Sequence, residues 1–454
     1  MADLEGIVRK GIARGLSKEE ILWRVVDEIV FYKDIEWDRA LKYASTVYDE
    51  TLSSLKACGD SIDPGLRSIL CPSGSGVPAG IVGIGSRGSG DFFFHSLLAG
   101  VASWGGGEGS AMDLDDAGWV KIGDTWVVVA VDGIHSRLSY FPLIAGFHAA
   151  RAAARDVMVK GAVPVSFAVD LRIGDDGDPS YLLDLEAGVA AVSKYLGAPI
   201  VGGSTLRIGG DMVIGTRVVG TVMCVGIARN KPRARRNARP GDKILMTMGA
   251  GGGTVATIAI YGGKPEVVLR TLNFNTLGAL KAIIESDIVD KIHAMFDITN
   301  GGIRGDLNEI SRSSGIGFSI DLEGIYSLID SEVLRMLREL DIDPLGISLD
   351  SIAIIAEKDT LEDVEKLLRS RGIKSRIIGE VISEPKVMYR DPEGRVGELK
   401  TYHRESPYTK IKKLVGVERP ENWEAVSKRL EEAYRKALET RDRLYNLAIG
   451  QTTH

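Results

Sequence analysis

The chain has 454 residues, a formal net charge of −6 and 26% charged residues. That length gives room for two or three domains with a sizeable core. The mild acidity leaves no electrostatic footprint for nucleic acid, and no apolar run of about 18 residues marks a transmembrane helix.

Three cysteines, Cys58, Cys71 and Cys224, are spaced too unevenly for a zinc site or a disulfide framework. The opening MADLEGIVRK has no signal-peptide pattern, so the expectation is a cytoplasmic protein. Residues 1–70 read as a helical extension. Ser17-Lys18-Glu19-Glu20 is a capping box, followed by an amphipathic face of Ile21, Leu22, Val25, Val26, Ile29 and Val30. A second amphipathic helix runs from Trp37 through Leu52, and neither carries evident chemistry. Residues 71–90, CPSGSGVPAGIVGIGSRGSG, read as loop. Within them Gly83 to Gly88 matches G-x-G-x-x-G, which binds a dinucleotide only where a strand precedes it and an acid ends the next strand. The candidate strand, Ala79 to Val82, is short and follows Pro78, so an NAD site and a plain surface loop both stand as readings.

The densest chemistry lies between Ser110 and Pro164. Asp115 and Asp116 precede an apolar, β-branched run from Trp126 to Val131, which predicts a buried strand, and Asp132 stands where that strand ends. Strand ends are where open sheets bind ligands. Helical spacing over Leu143 to Val159 then places Asp156 near a helix C-terminus, where the dipole disfavours a negative charge. Four carboxylates gathered in this way suit Mg²⁺, which takes one or two carboxylates together with substrate phosphates. The plainer alternative makes Asp115 and Asp116 a turn, Asp132 a loop cap and Asp156 a partner of Arg151 or Arg155.

Further on, Val165 to Leu171 reads as a strand, Gly174 to Pro179 as an acidic turn, and Tyr181 to Leu196 as a helix. A strand then ends in Gly202-Gly203-Ser204-Thr205, and residues 213–228 alternate in strand fashion. The basic run NKPRARRNARPGD (230–242) lacks the aromatics that stack on bases and reads as a solvated linker. Met248 to Thr254 is a glycine cluster entering a helix, where backbone amides favour an anion or where close packing alone demands glycine. Asp297, Thr299 and Asn300 precede Gly301-Gly302 and can face a ligand. Residues 420–450 form one amphipathic helix, packed on the core or on the N-terminal helices.

The segments DDAG, VDGIH and RDVMVKGAVP, followed by RPGD, DITNGG, LDIDPL and IIGEV, resemble the PurM-like superfamily. It contains aminoimidazole ribonucleotide (AIR) synthetase, thiamine monophosphate kinase, selenophosphate synthetase and the hydrogenase-maturation dehydratase. The likeness covers roughly residues 80–390 and has the look of a divergent branch. It implies a two-domain α/β (α+β) fold with helical extensions at both ends. Residues 71–230 would be an ATP- and Mg²⁺-binding domain whose sheet joins a second copy in a homodimeric β-barrel. A basic linker (231–242), a C-terminal α/β domain (243–395) and a helical tail (396–454) would follow.

By the same resemblance Asp115, Asp116, Asp132 and Asp156 hold Mg²⁺ and ATP. The loop carrying Gly85, Arg87, Gly88 and Gly90 covers the nucleotide, Gly251 and Gly252 face phosphate, and Asp297 and Asn300 face the phosphoryl acceptor or a second metal. His135 is either a phosphate donor or a polar core residue. The superfamily has GGET or GGDT where this chain has GGST, so Ser204 replaces an acid while Thr205 keeps a hydroxyl. The implied activity is phosphoryl transfer from ATP that activates a small-molecule carbonyl, amide or phosphate. No cysteine follows Cys224, against the dehydratase in its usual form, and Cys71 is followed by Pro72-Ser73, a poor match to selenophosphate synthetase. The other readings are a non-catalytic nucleotide-binding scaffold, a hydrogenase-maturation-related factor without the C-terminal cysteine, and an NAD-dependent dehydrogenase.

Overall fold

A computed structural model describes residues 1–450 except Ser73, Gly105, Gly106 and Ser136. Ser73, compared above with selenophosphate synthetase, and the last four residues therefore lie outside the described residues. The N-terminal extension is anchored by backbone pairing of β1 (Ala2–Asp3) with β6 (Val213–Ile214). Its helices Leu4–Ala13, Lys18–Tyr32 and Trp37–Lys56 close a separate small core that includes Leu4, Ile21, Val25, Ala44 and Ile214. The capping box forms as the sequence predicts, with Glu20 N–H donating to Ser17 Oγ at 3.2 Å and Ser17 N–H to Glu20 Oε2 at 2.8 Å. Lys33 pairs with Asp175 and Asp176, so the acidic turn fastens this extension to the body.

The first sheet comprises β2 (Gly118–Ile122), β3 (Thr125–Gly133), β4 (Val163–Ile173), β5 (Ile200–Arg207) and β7 (Val218–Ala228), in the order β2-β3-β7-β4-β5. All neighbours are antiparallel except β4 and β5. Helices Pro142–Met158 and Ser180–Leu196 cover one face. They lie so close together that a Cβ on Gly146 would come within 2.0 Å of Leu185 O, and one on Gly188 within 2.1 Å of Leu143 O. Val128 and Ala130 point toward these helices and are buried. The alternate side chains form an open apolar face on which Val120, Ile122, Val131, Val163, Leu206 and Ile227 are 40% to 60% exposed. The predicted buried strand is thus covered on one side only, because a continuous apolar run places side chains on both faces of the pleat.

The second sheet comprises β8 (Lys243–Thr247), β9 (Ala294–Asp297), β10 (Gly317–Asp321), β11 (Ile352–Ala356), β12 (Ser375–Ile382), β13 (Val387–Arg390) and β14 (Val396–Glu398). Its order is β14-β13-β10-β12-β8-β11-β9. Helices Gly253–Tyr261, Asn275–Ile284, Gly302–Ser314 and Lys358–Ser370 pack with it, and one apolar core runs through both sheets. Pro265–Ile284 is long and apolar enough by composition to cross a membrane, but it is broken into separate helical pieces and half buried within the fold.

Four expectations change here. The basic run is not a solvated linker: Arg235 is buried, and Arg233 and Arg236 pair with Asp290 and Asp113. Ala79–Val82 is a helical turn rather than a strand, which removes the strand that a dinucleotide fingerprint requires. The tail is not purely helical, since β14 pairs with β13, and its long helix Trp423–Ala448 packs on helix Ser89–Ala102 through Trp423 and Phe93, whose rings are 5.6 Å apart. Cys58 and Cys71 form a disulfide, because helix Pro64–Leu70 turns the chain back and brings their Cα atoms to 5.7 Å. Thiol titration of unreduced protein in guanidinium should therefore find one reactive cysteine per chain, Cys224, which is buried in the native state. Three would contradict the crosslink.

Candidate active site

Strand ends and helix starts from both sheets converge on one cavity of about 660 Å³. Asp132 leaves the end of β3, Asp156 comes from the last turns of helix Pro142–Met158, and Asp116 sits just ahead of β2. From the second sheet, Asp297 closes β9 and Asn300 lies in the turn before helix Gly302–Ser314. All five line the cavity, together with Gly85, Arg87, His135, Gly252 and Thr299, so ten of the residues expected from sequence meet there.

The carboxylates divide into two groups according to whether a cation already holds them. Asp115 is fully engaged: Lys160 Nζ lies 2.5 Å and the Asp116 N–H nitrogen 2.9 Å from its Oδ1, and the Arg235 N–H donates to Oδ2 at 2.9 Å. It does not line the cavity, and its place is structural. Asp116 pairs with both Lys160 and Arg235. Burial pushes its carboxyl up, but the two cations outweigh burial and hold it below the usual value. Asp297 is paired with Arg155, whereas Asp132 and Asp156 have no ion-pair partner among the described residues. Burial raises Asp132 to about 6, with Asp297 adding to the rise and Arg155 opposing it. Burial, and then Asp297, push Asp156 well above its ordinary value.

Neither arginine neutralises Asp156 in the way the plainer reading supposed. Arg155 pairs with Asp297 and Asp350, and Arg151 with Asp350. One oxygen each of Asp156, Asp297 and Asn300 is buried without a hydrogen-bond partner. Buried orphan oxygens are costly, and a divalent cation would satisfy them. Among the described residues no three His, Cys, Asp or Glu side chains stand together as a ready-made metal site.

The glycine-rich loop departs from expectation. Asp91, fully buried, accepts the N–H groups of Gly85 at 2.9 Å and Arg87 at 2.8 Å, so these amides are not free for phosphate. Arg87 has φ +58° and pairs with Asp306 at 3.1 Å and Glu309 at 3.0 Å, which binds the loop to the second sheet's helix rather than to a nucleotide. Gly88 and Gly90 are packing glycines: a Cβ would come within 2.5 Å of His403 O at the first and 2.2 Å of Val82 O at the second. Gly251 has φ +80° and lies behind the cavity against Val255. Thr205 and Ser204 are exposed on the edge strand β5, away from the cavity of their own chain.

Burial, reinforced by Lys412 and Arg137, lowers His135 to about 4, which favours the neutral, polar-core reading of this residue. His148 is likewise held neutral by burial and by Arg151. Sequence reading named Arg151 and Arg155 only as partners for Asp156, and it missed His148, Lys160, Arg235 and Asp350, and also Glu405, Tyr408 and Lys412 from the tail. The RDVMVKG motif carries Arg155 and Lys160 and could have pointed to two of these. Nothing local marks the others.

This arrangement has relatives. Residues 114–227 match the family described as AIR synthase related protein, N-terminal domain, and residues 239–390 match its C-terminal domain. An uncharacterized protein of Methanocaldococcus jannaschii, MJ1416, is 40% identical over 446 residues and 97% of both chains. Phosphoribosylformylglycinamidine synthase subunit PurL of Petrotoga mobilis is 25% identical over 299 residues, covering 62% of this chain and 39% of that one. Among solved structures, hydrogenase maturation protein HypE in complex with ATP superposes with a TM-score of 0.51 at 19% identity, over 61% of this chain and 84% of that one. The chain belongs to the AIR synthase-related family and has its two-domain PurM-like fold.

The orphan carboxylate makes a stability prediction. An acid whose folded pKa is raised loses stability as pH climbs from its unfolded value, near 3.8, through its folded one. In metal-free buffer, Asp156→Asn should therefore melt about 2–5 °C above wild type at pH 8, with the gap closing toward pH 4. Added Mg²⁺ should raise the wild-type melting temperature and leave that of the variant unmoved.

Proposed function

We propose that this chain is a Mg²⁺-dependent, ATP-using enzyme that transfers a phosphoryl group to a small molecule, activating a carbonyl, amide or phosphate. The observation that carries the reading is the pair of partnerless buried oxygens on Asp156 and Asp297, beside Asp132, around a cavity large enough for a nucleotide tail. Catalysis of phosphoryl transfer is mostly positioning and charge neutralisation. Here Asp132, Asp156 and Asp297 would hold Mg²⁺, and the ion would neutralise the developing charge on the phosphates. Arg151 and Arg155 keep the second-sheet acids oriented, and Asn300, whose Nδ2 donates to Gly85 O at 3.3 Å, ties the covering loop to the acceptor side. The ATP held by HypE supports nucleotide binding in this fold.

Two alternatives lose ground. A dehydrogenase lacks its strand before Gly83. A scaffold was favoured by Ser204, but that residue stands outside this cavity, while the acids inside it are retained. Calorimetry with a nonhydrolysable ATP analogue should show binding that requires Mg²⁺ and weakens about tenfold or more in Asp132→Asn, the loss expected for one charged contact. Metal-independent binding that is unchanged in the variant would refute the assignment.

The same reading includes a homodimer. The open apolar face of the first sheet, with Val127, Val129 and Val131 on β3, is the kind of surface a monomer rarely leaves in water, and a second copy would close it into a barrel. Light scattering should give twice 48.9 kDa, and Val129→Asp should yield a folded monomer. A wild-type monomer would rule the barrel out.

A further inference from the structure

The tail beyond β14 crosses the site on its way to the final helix. Ser89 N–H donates to Tyr402 O at 2.8 Å and Gly90 N–H to His403 O at 3.2 Å, so the segment is stitched to the helix behind the covering loop. At its far end Lys413 Nζ donates to the carbonyls of Leu340 and Asp341 at 2.9 and 2.8 Å, on the second domain. Between these moorings Glu405, Tyr408 and Lys412 form part of the cavity wall. The segment lies outside both matched family domains, which end at residue 390.

The hydrogen-bond pattern fixes what Tyr408 offers. Thr257 Oγ donates its only proton to Gly253 O, four residues back on its own helix, at 2.8 Å. Its 3.2 Å contact with His135 Nδ1 must then have the imidazole N–H donating. Neutral imidazole carries one proton, so Nε2 is a bare acceptor, and the 3.1 Å contact with Tyr408 has the phenol O–H donating. Tyr408 is 3% exposed, and its proton is spent on His135. Tyr408 lines the cavity, and what remains on its oxygen for a further partner is a lone pair. Lys412 stands 4.7 Å over the phenol ring and is itself paired with Glu405, so this wall offers an acceptor backed by a neutralised pair rather than free positive charge. A phosphate or carboxylate placed against Tyr408 would meet lone pair on lone pair, whereas an O–H or N–H group would be bound.

We propose that Tyr408 is a specificity-determining residue of this chain, selecting small molecules that present a hydroxyl, amine or amide hydrogen to its phenolic oxygen. Thr257 and His135 act as positioning residues that aim it. The proposal rests on the nucleotide reading above and names the substrate class for the same cavity.

The test is stimulated ADP release from Mg·ATP across a panel of simple alcohols, amines and primary amides, set beside anionic compounds without such a donor. Wild type should respond to donor-bearing compounds, and Tyr408→Phe should need roughly tenfold more of each for half-maximal stimulation, as for one lost hydrogen bond, with half-saturation by ATP unchanged. Thr257→Val, which touches no cavity surface, should shift the same constant in the same direction and convert the His135 ¹⁵N signals from one tautomer to a mixture. Equal responses of wild type and Tyr408→Phe would overturn the proposal, and so would a wild type that binds the Mg²⁺–analogue complex but answers to no donor-bearing compound. Failure of wild type to bind that complex at all would instead remove the nucleotide reading on which the proposal stands.

Discussion

Two cations shut away from water hold this molecule together. Lys160 has no exposed surface and reaches Asp115, Asp116 and the carbonyl of Met295, while Arg235, 5% exposed, reaches Asp115, Asp116 and Glu309. These partners come from the segment before the first sheet and from the second domain, while Arg235 itself comes from the run between the domains. Breaking such a cluster by removing one member leaves an uncompensated buried charge, a loss of about 3–5 kcal/mol. The domains are therefore joined by ions that must stay matched as well as by apolar contact.

The same matching decides which acids are available for chemistry. Around the cavity and its back wall, Arg87, Arg151, Arg155, Lys160 and Arg235 face Asp115, Asp116, Asp132, Asp156, Asp297, Asp306, Glu309 and Asp350. Carboxylates outnumber cations, and the excess is concentrated on Asp132 and Asp156, the two with no cation of their own. Burial raises the acidic groups that lack a cation and leaves orphan oxygens beside them. The cavity thus gathers the acids that lack a cation of their own beside a space of about 660 Å³.

The covering loop and the tail act as one unit. Asp91 draws the loop's amides inward, Arg87 fastens it to helix Gly302–Ser314, and the His403 carbonyl backs Gly90. The tail, which carries Tyr408 into the same cavity, is held by the helix that follows the loop, so the two ends of the site share a mechanical connection.

Much of this was readable in one dimension. Apolar periodicity located β3, helix Pro142–Met158 and the long C-terminal helix, because burial of one face is a local property of side-chain spacing. Motif order placed Asp132, Asp156 and Asp297 in one family and hence in one site. What local pattern could not supply was pairing. The acids Asp115 and Asp116 look alike in sequence, yet one is sealed behind Lys160 while the other reaches the cavity. A basic run that resembles a solvated linker contributes Arg235 to the core, and a tail with no motif delivers Tyr408 to the wall. Composition and spacing determine which residues can bury or carry charge. Only the three-dimensional contacts decide which charge meets which, because electrostatic and hydrogen-bond energies depend on separations of a few ångströms between atoms that lie tens or hundreds of residues apart along the chain.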